Sequence, residues 1–268
     1  MKGVNLVIGG HPILNHIDLD ISPGEHLTVI GRSGAGKSSL AGLLLGWVSA
    51  ASGVLRVDGR DLDGDGMIRL RQQTALVDPE VHLWNQSLIH NLTYGSPSDH
   101  QVQLDHVLQQ ADLLGLLESL PDGLNTPLGE GGALVSGGEG QRVRLGRALQ
   151  RKQARLVILD EPFRGLDREK RAVLLARARH FWSEATLIFI THDLPLTADF
   201  ERVLVFENGQ LREDGQPADL LSRADSRYAQ LFNHDRDLWD RYWSADSWRR
   251  LRLSHGSLSE QSKEGTWS

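Results

Sequence analysis

The sequence predicts an α/β fold in which a largely parallel sheet is wound by helices on both faces. Three observations carry this prediction. Residues 155–159 and 185–190 are near-continuous apolar runs, the pattern of strands covered on both faces, as parallel strands are. Segments of strand character alternate with segments of helical period along much of the chain. An apolar run at residues 26–30 feeds a glycine-rich turn that opens directly onto a leucine-rich helical stretch starting at Leu40.

Taken in order, residues 4–6 and 13–21 read as short strands joined by a tight turn at Gly9 and Gly10. Ile17, Leu19 and Ile21 alternate with Asp18, Asp20 and Ser22, as in a half-buried antiparallel strand. Pro23-Gly24 turns the chain into the run at 26–30. Residues 54–58 predict a strand ending at Gly59, and residues 76–83 a strand running into a loop. From 98 to 120 the period becomes helical: Leu104, Val107, Leu108, Ala111, Leu114 and Leu117 share a face, ended by Pro121-Asp122-Gly123. A second helix is expected from near Ser136. Residues 203–206 form a strand leading into Asn208-Gly209, a hairpin turn.

The chain has 268 residues, enough for one large domain or two small ones. A net charge of −6 argues against a surface built to hold nucleic acid. With no cysteine, disulfides, thiolate catalysis and cysteine metal sites are excluded, which fits a cytosolic setting. The stretch at 40–48 is too short to span a bilayer and is broken by glycine, and no apolar leader core follows Met1. The expectation is that this chain alone does not cross a membrane.

The segment Gly31-Arg32-Ser33-Gly34-Ala35-Gly36-Lys37-Ser38-Ser39 matches the phosphate-binding pattern G-x-x-x-x-G-K-[ST]. Its glycines let successive backbone N–H groups turn inward toward phosphate oxygens, and the following helix adds its partially positive N-terminus. Lys37 would reach β- and γ-phosphates, and the Ser38 hydroxyl would ligate Mg²⁺. Asp160 and Glu161 end the apolar run at 155–159. The C-terminal end of a buried parallel strand is where ligands of open sheets bind. There Asp160 is placed to hold Mg²⁺ and Glu161 to polarise a water. A second glycine motif, Val135-Ser136-Gly137-Gly138-Glu139, also precedes a helix.

These motifs together resemble those of the ATP-binding cassette (ABC) ATPases, the nucleotide-binding domains of ABC transporters, from about residue 4 to 231. The loop at Gly31 is similar to Walker A and residues 156–161 to Walker B. Residues 135–139 are similar to the ABC signature, residues 163–167 (ending in Asp167) to the D-loop, and Ile190-Thr191-His192-Asp193 to the switch region. Residues 126–132 and 83–92 resemble segments of exporter-type cassettes. The resemblance implies a P-loop NTPase core with an N-terminal antiparallel β-subdomain. The core would occupy about 1–80 and 152–232, with an inserted α-helical subdomain at about 81–151.

It also implies ATP and Mg²⁺ as ligands, and a head-to-tail pair with a second ABC ATPase domain. In that pair Ser136, Gly137, Gly138 and Glu139 would complete the partner's site, while His192 would contact the γ-phosphate and position Glu161. A transmembrane domain or subunit would hold the pair at the cytoplasmic face of a membrane; no nucleic-acid partner is implied. Two other readings stand beside it: a soluble ABC ATPase working on DNA or the ribosome, and an ATP-binding switch with little turnover.

Three departures from the family pattern stand out. Where an adenine-stacking aromatic is usual, this chain has Ile8. Where the Q-loop glutamine is usual, it has Pro79, leaving Asp78 or Glu80 to supply an oxygen to Mg²⁺. The signature begins with Val135 and ends with Glu139 in place of leucine and glutamine. Residues 233–268 form a C-terminal extension. Trp239, Tyr242 and Trp243 share a helical face there, and residues 248–253 are strand-like. The extension reads as an extra helix and strand on the cassette, or as a partner-docking arm; the polar stretch 254–268 predicts disorder.

Overall fold

The structure, a computed structural model, describes residues 1–96, 103–243, 250–254 and 257–261. β1 (Lys2–Ile8) and β2 (His11–Ile17) form an antiparallel hairpin turning at Gly9-Gly10, and β3 (His26–Gly31) runs into α1 (Lys37–Leu44). β4 (Ser52–Val54) pairs with β1, while β5 (Arg56–Val57) and β6 (Arg60–Asp61) form a small hairpin. α2 (Gly64–Gln72) precedes β7 (Thr74–Val77). A helical block follows: α3 (Leu88–Thr93), α4 (Leu104–Gln110), α5 (Leu114–Ser119) and α6 (Gly137–Leu149). Then come β8 (Leu156–Asp160), α7 (Arg168–Phe181), β9 (Thr186–Ile190), β10 (Arg202–Glu207) and β11 (Gln210–Gly215). α8 (Pro217–Ser222), α9 (Arg227–Trp243) and the hairpin of β12 (Arg250–Ser254) and β13 (Ser257–Gln261) complete the described chain.

The central sheet has the order β11-β10-β3-β9-β8-β7, parallel except for β11, which pairs antiparallel with β10 through the Asn208-Gly209 turn. The predicted α/β class is thus the observed one, with a separate antiparallel sheet β2-β1-β4 built from the N-terminal strands. The apolar runs are continuous because alternate residues enter different cores. Val157, Leu159, Leu187 and Phe189 pack with α4, α5, α6 and α7. Ile158, Ile188, Ile190, Val29 and Phe206 pack on the opposite face with α1, β1 and β2. Every position from Leu156 to Leu159 and from Leu187 to Ile190 therefore buries an apolar side chain, worth about 1.5–3 kcal/mol apiece.

Three local expectations are corrected. The strand expected over 13–21 ends at Ile17, opposite Val4: Gly3, at φ 55°, turns its N–H to Asp18 Oδ1 at 2.8 Å and breaks the ladder, and beyond the break the main chains of Met1 and Leu19 exchange bonds at 2.7 and 3.1 Å. The helix expected from 98 to 120 is broken into α4 and α5, and its residues 98–102 lie outside the described ones. Asp112, at φ 55°, ends α4: its N–H donates to the Gln109 carbonyl at 3.2 Å, and that of Leu113 to Leu108 at 2.8 Å. This is a Schellman stop with aspartate where glycine is usual, and it lets Ala111, Leu113 and Leu116 all turn inward. Finally, the stretch expected to lack structure from residue 254 supplies β13, held by main-chain pairing such as Leu253 with Leu258. Strand character over 248–253 appears at Arg250–Ser254, and residues 248–249 and 262–268 lie outside the described ones.

Candidate functional site

The sheet order places β9 between β3 and β8, with Ile190 in register with both Val29 and Asp160. All three strands run the same way. Their C-terminal ends therefore deliver the glycine loop, Asp160-Glu161 and Thr191-His192 to one edge of the sheet, the edge where open parallel sheets bind ligands. The ladder continues past the strands: the Glu161 N–H donates to the Ile190 carbonyl at 3.0 Å and the Thr191 N–H to the Val29 carbonyl at 3.2 Å.

The loop has the geometry of a phosphate cradle. Gly36 sits at φ 100° immediately before α1, and a Cβ there would lie 2.6 Å from Leu14 Cδ2, so only glycine fits against β2. No side chain caps α1 and no acid lies in its first turn, which leaves its N-terminal amides to an anion. Arg32, Ser33, Gly34 and Ser38 are exposed, while Ser39 is half-buried. Lys37 Nζ donates to the carbonyls of Gly31 and Arg32, at 2.9 and 3.1 Å, folding its charge over the loop. Burial pulls the Lys37 pKa down, and the nearby Glu161 and Asp160 pull it back up.

Asp160 is 4% exposed. Burial, with Asp78 and Glu161 adding their charge, raises its pKa to about 6 against the hydrogen bond from Ser38. A buried acid held this far up beside a serine hydroxyl fits a divalent cation, which restores the ionised form. Glu161 follows at φ 43°, a left-handed conformation costing about 1–3 kcal/mol for such a residue. Its Oε1 lies 2.8 Å from His192 Nδ1. That hydrogen bond raises the pKa of the otherwise exposed His192. Glu161 and His192 come from different strands and 31 residues apart, and the structure brings them into contact.

The second glycine motif is built differently. Ser136 is the N-cap of α6 in a capping box: its N–H donates to Glu139 Oε2 at 2.7 Å, and Ser136 Oγ accepts from the Glu139 N–H at 3.3 Å. These bonds hold the Glu139 carboxyl below its usual range. Ser136 and Gly137 are exposed, and Gly138 is buried under the D-loop. A Cβ on Gly138 would come within 2.8 Å of Leu166 Cδ2 and 3.1 Å of the Gly165 carbonyl. Asp167 caps α7 by accepting from the Lys170 N–H at 2.9 Å. α6 packs on the face of the sheet opposite α1, so the two glycine motifs open helices in different layers.

Of the two acids flanking Pro79, Asp78 is half-buried and its charge reaches Asp160; Glu80 is exposed and gives its N–H to Asp78 Oδ1 at 2.7 Å. Ile8 is 45% exposed at the tip of the β1–β2 hairpin. Sequence reasoning missed the arginines that fasten these loops. Arg144 Nε donates to the Val81 carbonyl at 2.7 Å, and Arg147 to those of His82 and Asn91 at 3.0 and 2.8 Å. Their three-residue spacing on α6 was the available signal. The buried Asn91 side chain then knits the segment together, bonding to the main chain of Trp84, Gln86 and Ser87.

Comparison with known proteins agrees with this geometry. The family model described as "ABC transporter" matches residues 14–164. The chain is 35% identical over 221 residues to the ATP-dependent lipid A-core flippase of Vibrio cholerae, covering 82% of this chain and 38% of that protein. It is 36% identical over 226 residues to the alpha-hemolysin translocation ATP-binding protein HlyB of Escherichia coli O157:H7, covering 83% and 31%. Among solved structures it matches a bacterial Atm1-family ABC exporter with ATP bound, with TM-score 0.80 and 30% identity over 87% of this chain and 41% of that one. The chain thus spans less than half the length of these relatives. Strand order, loop geometry and family match converge: the chain belongs to the ABC transporter family and carries its ATPase domain.

Proposed function

We propose that this chain hydrolyses ATP to drive an exporter, as one half of a head-to-tail pair whose transmembrane part lies outside the chain. The observation that carries the reading is the contact between Glu161 and His192, set beside the buried Asp160 and the glycine loop. In this reading residues 31–39 and the amides of α1 hold the phosphates, and Lys37 turns its charge from the loop carbonyls to them. Ser38 and Asp160 would hold Mg²⁺, which supplies charge neutralisation at the phosphates. Glu161 orients the attacking water and accepts its proton, and His192 fixes the Glu161 carboxylate through Nδ1.

The placement of α1 and α6 on opposite faces supports a composite site. Exposed Ser136 and Gly137 then serve the nucleotide of the paired domain, with Gly138 behind them. Exposed Trp84 and Tyr94, with ring centroids 5.4 Å apart beside the Asn91-knitted segment, suit a docking face for transmembrane helices at the cytoplasmic side of a membrane. Among the described residues no helix is long and apolar enough to cross a membrane.

A steady-state ATPase assay, with co-purification of a membrane partner, tests the reading. Turnover that depends on Glu161 supports it. Pro79 favours one second reading, an ATP-binding switch, and ATP binding with negligible turnover in the unaltered chain would establish that instead.

Two expected results concern the departures. Asp78→Ala shifts the Mg²⁺ concentration for half-maximal turnover upward by about tenfold, and Glu80→Ala leaves it in place, because only Asp78 lies near Asp160. Ile8 offers an aliphatic cover without ring stacking, worth about 0.5–1.5 kcal/mol less than an aromatic. GTP and CTP therefore compete with ATP within roughly tenfold in displacement binding. A preference for ATP of a hundredfold or more would show that another group reads the base.

A further inference from the structure

We propose that Arg171 is a positioning residue for hydrolysis. It ties the switch segment at Asp193 to the D-loop at Leu166, so that His192 is held on Glu161 only while that loop is seated. The inference rests on the ATPase reading above.

His192 itself is exposed, with a side-chain exposure of 70%, so its own packing does not fix where its ring points. Its neighbours do. Thr191 is buried at the end of the β9 ladder, and its Oγ1 accepts from the Asp193 N–H at 3.0 Å. The Asp193 carboxylate accepts from Arg171 Nη1 at 2.8 Å, and this pair is largely shielded, with side-chain exposures of 14% and 31%. Shielding makes such a pair a stronger constraint than a surface one.

The same guanidinium uses Nε to donate to the Leu166 carbonyl at 2.7 Å. Leu166 is 6% exposed, and with Gly165 it forms the wall against which Gly138 of the signature lies. One planar, forked cation therefore joins the residue after His192 to the loop beneath Gly138. Arg171 stands in the first turn of α7, four residues after the N-cap Asp167, so the rigid helix fixes the fork's origin. A lysine offers a point charge without the fork and holds one partner well or both loosely. The consequence for function is direct: the geometry of Glu161 and His192 in one site depends on the seating of the loop that supports the signature of the other.

The test measures kcat and KM for MgATP with the full chain, comparing the unaltered protein with Arg171→Ala, Arg171→Lys, Asp193→Ala and the Arg171→Ala/Asp193→Ala pair. The expected result is a fall in kcat of about tenfold or more in Arg171→Ala, with KM within about twofold because the phosphate cradle is untouched. Arg171→Lys recovers part of the loss, and the double variant is no worse than the poorer single one, as partners in one link are non-additive.

Unchanged kcat in both single variants overturns the inference, as do additive losses or a loss carried by KM. Should Arg171→Ala fail to fold, Asp193→Ala, which leaves the helix intact, decides by the same split. The unaltered chain separates the two claims. If it hydrolyses ATP and the variants match it, only the role of Arg171 falls. If it does not hydrolyse ATP, the ATPase reading falls first, and the inference with it.

Discussion

Glu161→Gln is expected to bind ATP as tightly as the unaltered chain and to hydrolyse it about 10²–10³ times more slowly, the range typical of losing a positioned base. The amide keeps the size and the contact with His192, across the present 2.8 Å, but has no basic oxygen to take a proton from water. Nucleotide binding rests on the loop at 31–39 and on Lys37, which the substitution leaves alone. Equilibrium binding of a fluorescent ATP analogue, set against steady-state phosphate release, checks both halves. Loss of binding along with turnover would make Glu161 a structural strut at the end of β8, consistent with its left-handed backbone. Full turnover would move the base elsewhere.

Asp160→Asn is expected to move stability and activity in opposite directions. In the fold the Asp160 pKa rises from 3.8 to about 6, chiefly through burial, so the folded chain holds the proton more tightly than the unfolded one does. An acid raised in this way costs nothing below about pH 4; the penalty grows as pH rises toward 6 and is complete above it. At roughly 1.4 kcal/mol per unit the full cost is about 3 kcal/mol. The neutral asparagine removes it, so without nucleotide or Mg²⁺ the variant melts at higher temperature than the unaltered chain at pH 7.5, and the gap closes at pH 4.

Activity goes the other way, because an amide oxygen is a poor ligand for Mg²⁺ beside Ser38. Turnover falls by a hundredfold or more, in the range of losing a direct charge stabiliser. The same titration predicts that the unaltered chain loses Mg²⁺ affinity as pH falls through about 6, since the proton and the cation compete for one carboxylate. Calorimetry in buffers of different ionisation enthalpy reads the released proton. A variant that is both less stable and still active would show that Asp160 is held ionised by its partners and takes no part at the cation.

Much of this site was legible in the sequence because its chemistry is local. A glycine loop between a strand and a helix, and two acids at a strand end, are contiguous patterns with one physical reading each. The sheet was legible for a related reason: strands buried on both faces, such as β8 and β9, leave an uninterrupted apolar trace. What was not legible depends on distance. The stop at Asp112 requires a left-handed aspartate whose neighbours all have inward work to do, and periodicity over 104–117 carried no sign of it. The early end of β2 depends on Gly3 of the partner strand leaving the ladder, a pairing fact rather than a property of residues 18–21.

Glu139 shows the same limit from another side. As a sequence feature it was a departure from a motif; in the fold it closes a capping box on Ser136. Arg144, Arg147 and Arg171, which fasten the loops, were hard to single out because an arginine on a helix usually faces water: the spacing of Arg144 and Arg147 was the one signal, and the backbone carbonyls at 81, 82, 91 and 166 reveal the work.

The central claim is that each ATP is held between the loop at Gly31 of one domain and the signature at Ser136 of another. Its most direct test is the molar mass of the Glu161→Gln chain in solution, by light scattering, with and without MgATP. The account predicts a mass near 29.7 kDa without nucleotide and twice that with it, the doubling disappearing when Lys37→Ala is added. A chain that binds MgATP and stays at the single mass would contradict the composite site.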